Sequence, residues 1–127
     1  MTRRELLVST CAVPLLGQTA TNKFEKLAND YIAHLLQSRP EAATFLGEHR
    51  YDDRLEDVSP EARARDLQAQ REFLTRARAL QSEKLDQVSR IDLRILTSAM
   101  ESAIWNATVL REFEWNPMSY NPGSAVY

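Results

Sequence analysis

A single cysteine, no sustained strand-like alternation, no long apolar run and no surplus of basic charge set the first limits on this sequence. Cys11 alone permits no internal disulfide and no cysteine metal cluster. The net charge is −2, so nothing in the balance attracts phosphate or an anionic membrane. The arginines between Glu61 and Arg78 alternate with Asp66 and Glu72. That is a solvated helix face, not the basic face that marks a nucleic-acid binder. Neither His34 nor His49 is followed by Glu and a second His, the helical zinc pattern. No internal repeat is present. With 127 residues there is one domain at most, or part of one. Its 43% hydrophobic and 27% charged residues are ordinary for a globular protein.

The first twenty residues read as an export signal. Thr2-Arg3-Arg4 precedes an apolar run from Leu6 to Leu16, broken by Ser9, Thr10 and Pro14. A positive start with a short apolar core is the secretory pattern. The core falls well short of the ~20 apolar residues a spanning helix needs, so no stable membrane span remains once the signal is removed. Thr2-Arg3-Arg4-Glu5-Leu6-Leu7 resembles the twin-arginine signature, with Val8 where lysine often stands. Processing through Cys11 as a lipoprotein is weaker, because Thr10 precedes it. The competing reading is an amphipathic N-terminal helix that stays attached. The favoured location is the periplasm or the exterior.

From residue 22 onward the pattern is helical. Phe24, Leu27, Ala28, Tyr31, Ile32, Leu35 and Leu36 recur at three- and four-residue steps. Asn22 is an acceptable N-cap, and Ser38-Arg39-Pro40 ends the run. His34 lies beside this stripe as a surface or packed residue. A short helix follows over Glu41 to Leu46, with Pro40 in its first turn and Gly47 as its stop. Turn and coil are expected from there through Asp57. Ser59-Pro60-Glu61 restarts helix, which runs to about Gln81 and buries Leu67, Phe73, Leu74, Ala77 and Leu80. Ser82 to Val88 reads as a polar connection. Ser89-Arg90-Ile91-Asp92 resembles a capping box. It predicts a last helix from Arg90 to about Phe113, with a stripe of Leu93, Leu96, Ala99, Met100, Ala103, Ala107 and Leu110 and with Ile104 alongside. The fold class is therefore all-α: three main helices and one short one, neighbours packing roughly antiparallel. The core is thin. Trp105, Phe113, Trp115 and Tyr120 look made to pack against something more.

The stretch from Arg39 to Pro60 carries the densest chemistry. Arg50 or Arg54 could hold a substrate carboxylate by a two-pronged hydrogen bond, with Tyr51 shaping the pocket. His49 is able to titrate near neutral pH. The structural alternative has Asp52, Asp53 and Asp57 capping turns and pairing with Arg50 and Arg54, as charge-rich loops commonly do. A calcium loop does not fit, since Asp52 and Asp57 lack the alternating oxygen ligands and central glycine. Trp115-Asn116-Pro117 with Tyr120 could line a peptide cleft, or simply pack.

Several groups now fall into one order. Phe24-x-x-Leu27 is followed by Pro40-Glu41-Ala42-Ala43-Thr44-Phe45-Leu46-Gly47, then by His49-Arg50-Tyr51-Asp52-x-Arg54-Leu55 and Asp57. Asp92-Leu93-x-x-Leu96 and Trp115-Asn116-Pro117-x-x-Tyr120 complete it. The chain resembles the N-terminal portion of the bacterial domain of unknown function 885, from Phe24 to Tyr120. The resemblance implies a larger helical, zincin-like fold, often exported, with a zinc-binding H-E-x-x-H helix downstream. It places no catalytic or metal residue on this chain, and implies zinc only in a full-length parent. The implied domain is residues 22–127, an N-terminal region whose partner is a C-terminal catalytic portion. Its helices would wall a channel for a peptide-like substrate. The alternative is a self-standing periplasmic helical binding module without catalysis.

Overall fold

The computed structural model describes residues 15–120, with side chains from Thr19 onward. Among them there are helices and turns but no strand, the all-α architecture expected. Residues 1–14 of the predicted export signal lie outside the described residues.

The first helix, α1, spans Leu15–Ser38, beginning at Leu15 and not at Asn22. Nothing between those residues breaks a helix. Ala20 extends the apolar stripe backward from Phe24, Leu27 and Tyr31, and all four are buried. Residues 15–20 therefore belong to this helix, and Ala20 to the core.

The short helix α2, Pro40–Phe45, ends as its glycine predicts. Gly47 has φ +86, its N–H bonds to Thr44 O at 3.0 Å, and the Glu48 N–H reaches back to Ala43 O at 2.9 Å. Those two bonds make a Schellman cap around a left-handed residue. No atom would touch a Cβ added there. Gly47→Ala should therefore cost only the left-handed backbone penalty, about 1–2 kcal/mol, read as a lower urea midpoint. The chain then makes a 3-10 turn at His49–Tyr51, within the stretch expected to be turn and coil. The Glu48 carboxylate closes this turn by accepting the Arg50 N–H.

Helix α3, Pro60–Leu80, starts as read, with Ser59 Oγ accepting the Ala62 N–H at 3.2 Å. Helix α4, Gln87–Trp105, is capped by Asp86 and not by Ser89. Asp86 Oδ1 accepts the Ser89 N–H at 2.9 Å; Oδ2 accepts Ser89 Oγ at 2.6 Å and Thr21 Oγ1 of α1 at 2.8 Å. Ser89, one turn in, is buried. A cap-forming carboxylate and a cap-forming serine sit three residues apart, and only the one that also reached α1 became the cap. These donors, Ser89 foremost, hold the Asp86 carboxyl far below the usual range. Its folded pKa is depressed, so its contribution to stability is present above the unfolded pKa of ~4 and fades as pH falls through the folded value. Asp86→Asn should flatten the acid side of the melting temperature–pH profile while leaving the neutral-pH helix content intact.

The last predicted helix is broken. After Trp105 the turn widens to a π-helix over Asn106–Leu110, closed by the Arg111 N–H to Asn106 O at 2.8 Å. Arg111 sits in the left-handed region at φ 49. A four-residue helix α5, Glu112–Trp115, and a 3-10 turn, Pro117–Tyr120, follow. Periodicity could not see this end, because the apolar spacing runs through it. Thr108 Oγ1 donates to Ile104 O at 2.7 Å, a back-bond that bends helices.

Three helices make the bundle. Lys23–Glu83, Asp30–Arg76, Tyr31–Gln70 and His34–Asp66 join rising numbers in α1 to falling numbers in α3, so the two run antiparallel. Arg78–Glu101 and Arg63 over Phe113 give the same sense for α3 and the chain from α4 onward. Between them lie Phe24, Leu27, Tyr31, Leu74, Ala77, Leu80, Leu85, Leu93 and Met100. Burying each leucine contributes about 1.5–3 kcal/mol. Leu67 and Phe73 are only half-buried. Along α4 and the π-helical turn after it, the predicted stripe holds at Leu93 and Met100, but Ala99 and Leu110 are exposed and Thr97 is buried. Thr97 satisfies its hydroxyl on Leu93 O at 2.7 Å.

Candidate functional site

The loop after α2 is held by its own charges. Arg50 grips Glu48 with two prongs, Nε to Oε1 at 2.8 Å and Nη2 to Oε2 at 2.9 Å. That grip holds the Glu48 carboxyl below its usual range and raises the Arg50 guanidinium. The fork that the sequence offered to a substrate carboxylate is thus closed on a neighbour two residues away. Asp52 accepts Thr44 Oγ1 at 2.6 Å and lies 2.9 Å from His49 Nδ1. The Thr44 bond first, then His49, depresses the Asp52 carboxyl. Asp57 is depressed by accepting the Ser59 N–H at 3.0 Å, and Arg65, not Arg54, approaches it at 3.5 Å. The Glu56 N–H bonds to Glu41 Oε1 at 2.9 Å, tying the loop back to α2. Burial pushes the Glu56 carboxyl upward.

The three sequence candidates do come together. Tyr51 is half-buried, with the Arg50 guanidinium 5.7 Å and the Arg54 guanidinium 5.9 Å from its ring centroid. Cation–π contacts at that range are worth about 0.5–1 kcal/mol on an exposed surface. Arg54 is the freer of the two, with Asp53 Oδ1 at 3.6 Å. The expected pairing of Asp52 and Asp57 with these arginines is replaced by Glu48–Arg50 and Asp57–Arg65, because those partners are nearer along the turn and the following helix.

The histidines are both committed. His34 Nε2 lies 2.9 Å from Asp66 Oδ1, and its ring packs 5.5 Å from that of Phe73. His49 pairs with Asp52. Among the described residues no three His, Cys, Asp or Glu side chains gather as a metal site. The described residues do not fit zinc.

Helix α4 carries a second face that periodicity alone did not single out. Val88, Ile91 and Ile95 follow one another at helical spacing and are exposed, Ile95 by 62%. Ile91, Arg94, Ile95, Ser98, Ala99 and Ser102 line an open depression of about 550 Å³. The signal was in the sequence: this face repeats at the same step as Leu93 and Met100, on the other side of the helix. Beyond it, Trp105, Val109, Trp115, Met118 and Tyr120 form an exposed apolar end. Trp115 Nε1 donates to Leu110 O at 3.0 Å, and Tyr120 Oη to Phe113 O at 2.6 Å, so the turns are ordered around these rings.

The class defined here is an all-α helical domain with a self-paired polar loop and a long helix that is apolar on two sides. Over residues 40–125 the sequence matches the family described as "Bacterial protein of unknown function (DUF885)", and the chain belongs to that family. The match covers α2, the loop, α3 and α4; all of α1, with Phe24 and Leu27, lies before it. No curated protein and no solved structure matches the chain. Among the described residues no helix is long and apolar enough to cross a membrane.

Proposed function

We propose that this chain is the N-terminal helical portion of an exported zincin-like hydrolase, a zinc-dependent peptidase, whose helices wall the substrate channel. The observation that carries the reading is the open, largely apolar outer face of α4 on an otherwise packed bundle. A helix apolar on both sides belongs between two layers. The exposed aromatic end at Trp105 and Trp115 supplies the seam where a C-terminal catalytic portion docks. The zinc ligands and the metal-bound water then belong to that portion, and this chain contributes shape and exclusion of water.

The test is to read the genomic frame through Tyr127, express its whole product and assay peptide cleavage with and without a chelator. An H-E-x-x-H motif downstream and chelator-sensitive cleavage are expected. A stop codon directly after Tyr127 overturns the reading and favours the second one, a self-standing periplasmic binding module, which the paired loop charges suit. In the whole product, Arg50→Ala and Arg54→Ala separate the loop's roles: unchanged turnover with a lowered melting temperature leaves the loop purely structural. Fractionation of an expressing bacterium tests export, with protein confined to the cytosol as the adverse result.

A further inference from the structure

We infer that the stretch from Asn106 to Arg111 is a hinge with two arrangements: the bent one described above, and a straight one in which α4 runs on to Trp115. The residue types here do not themselves break a helix. From Asn106 to Trp115 there is neither proline nor glycine, and Pro117 is the first of either. Yet the backbone turns. The π-helical turn over Asn106–Leu110 holds one residue more than an α-turn, closed by the Arg111 N–H to Asn106 O at 2.8 Å. Arg111 then follows at φ 49, among the described residues the one non-glycine in the left-handed region. A residue with a Cβ is strained there, and such strain gathers at switch regions. Wide turns of this kind within helices frequently mark functional positions too.

Little outside the stretch holds the bend. Its side-chain bonds are local: Trp115 Nε1 to Leu110 O at 3.0 Å, Tyr120 Oη to Phe113 O at 2.6 Å, and the Arg111–Glu114 pair. Among the polar and ring contacts of the described residues, the tie back to the bundle is Arg63, its guanidinium 4.5 Å over the Phe113 ring. No residue from Asn106 to Tyr120 is buried. The opposing terms are close in size. A left-handed residue costs about five- to thirtyfold in population. An exposed ion pair returns up to about fivefold, and one hydrogen bond about two- to tenfold. Straightening has a contact to gain. Leu110 is exposed in the bend, although it ends the inner stripe of Leu93, Met100, Ala103 and Ala107, and Leu67 on α3 is half-buried. The two helices run antiparallel with Phe113 at Arg63. Three residues back on one and four residues on along the other bring Leu110 level with Leu67. A straight helix also carries Trp115 about 15 Å beyond Trp105, so the aromatic end of the chain has two positions.

The test places spin labels at Ser98→Cys and Ser119→Cys in the full 127-residue chain, with Cys11→Ser, and measures the distance between them by pulsed electron resonance. Two distances are expected, the shorter from the bend and the longer from the straight helix. Arg111→Gly lifts the left-handed penalty and should enrich the shorter by about five- to thirtyfold. Arg111→Ala keeps that penalty, loses the Glu114 pair and should enrich the longer by up to about fivefold. Carbon chemical shifts of the unlabelled chains give a second reading: helical values across residues 106–115 should strengthen in Arg111→Ala and vanish after residue 110 in Arg111→Gly. One distance common to all three chains, a parent that is wholly straight, or a ratio that Arg111→Gly leaves unmoved would overturn the inference. Each of those results leaves the genomic and chelator tests of the hydrolase reading untouched.

Discussion

Leu93→Ala is expected to lower the unfolding free energy by about 2–5 kcal/mol, while Ile95→Ala, two residues on, should change it by no more than ~0.5 kcal/mol. Leu93 is 2% exposed, in the core between the three long helices; Ile95 is on the opposite side of α4 and open to solvent. Truncating the first leaves a cavity in the core cluster, with transfer and cavity terms acting together. Truncating the second removes only methyl groups already in water. Urea denaturation of the two variants measures the contrast. A large loss at Ile95 would mean that the outer face is covered in solution, and sedimentation would show whether a second copy covers it.

The second large effect lies in the one polar pair inside the bundle. Tyr31 Oη donates to Gln70 Oε1 at 3.2 Å, joining α1 to α3, and Gln70 is 1% exposed. Its Nε2 has no partner. Burial raises the Tyr31 phenol above its ordinary value, so it stays neutral and remains a donor. Gln70→Met removes the acceptor and leaves a buried hydroxyl, at a cost of about 1–3 kcal/mol. Tyr31→Phe together with Gln70→Met removes both needs at once and also the orphaned amide N–H. The double variant should therefore recover most of the loss, approaching or exceeding the parent's stability. A double-mutant cycle reads this as strong coupling. Simple additivity of the two single losses would refute the account.

How much of this could be read beforehand differs from element to element. The α3 start was legible because Ser59, Pro60 and Glu61 each act within one turn of their own backbone. The same holds at Gly47, whose left-handed φ needs no distant partner. The start of α4 was misplaced because Asp86 and Ser89 are both good caps locally. The deciding bond came from Thr21, 65 residues away in sequence. Arg50 and Arg54 do flank Tyr51, and Asp53 pairs with Arg54 as expected, but Asp52 and Asp57 find other partners. Charged side chains of similar reach compete, and the turn geometry at His49–Tyr51 chose Glu48 for Arg50.

The all-α class, the bounds of α2 and α3, and the motif order of the family were written in the sequence alone, because they rest on periodicity, caps and turns acting over a few residues. Tertiary structure alone decided that Ala20 joins the core, that α4 ends at Trp105, and which arginines stay unpaired. The reason is one of range. A helix can be apolar on two sides by composition, but which side is covered depends on where α1 and α3 lie, and that information sits tens of residues away.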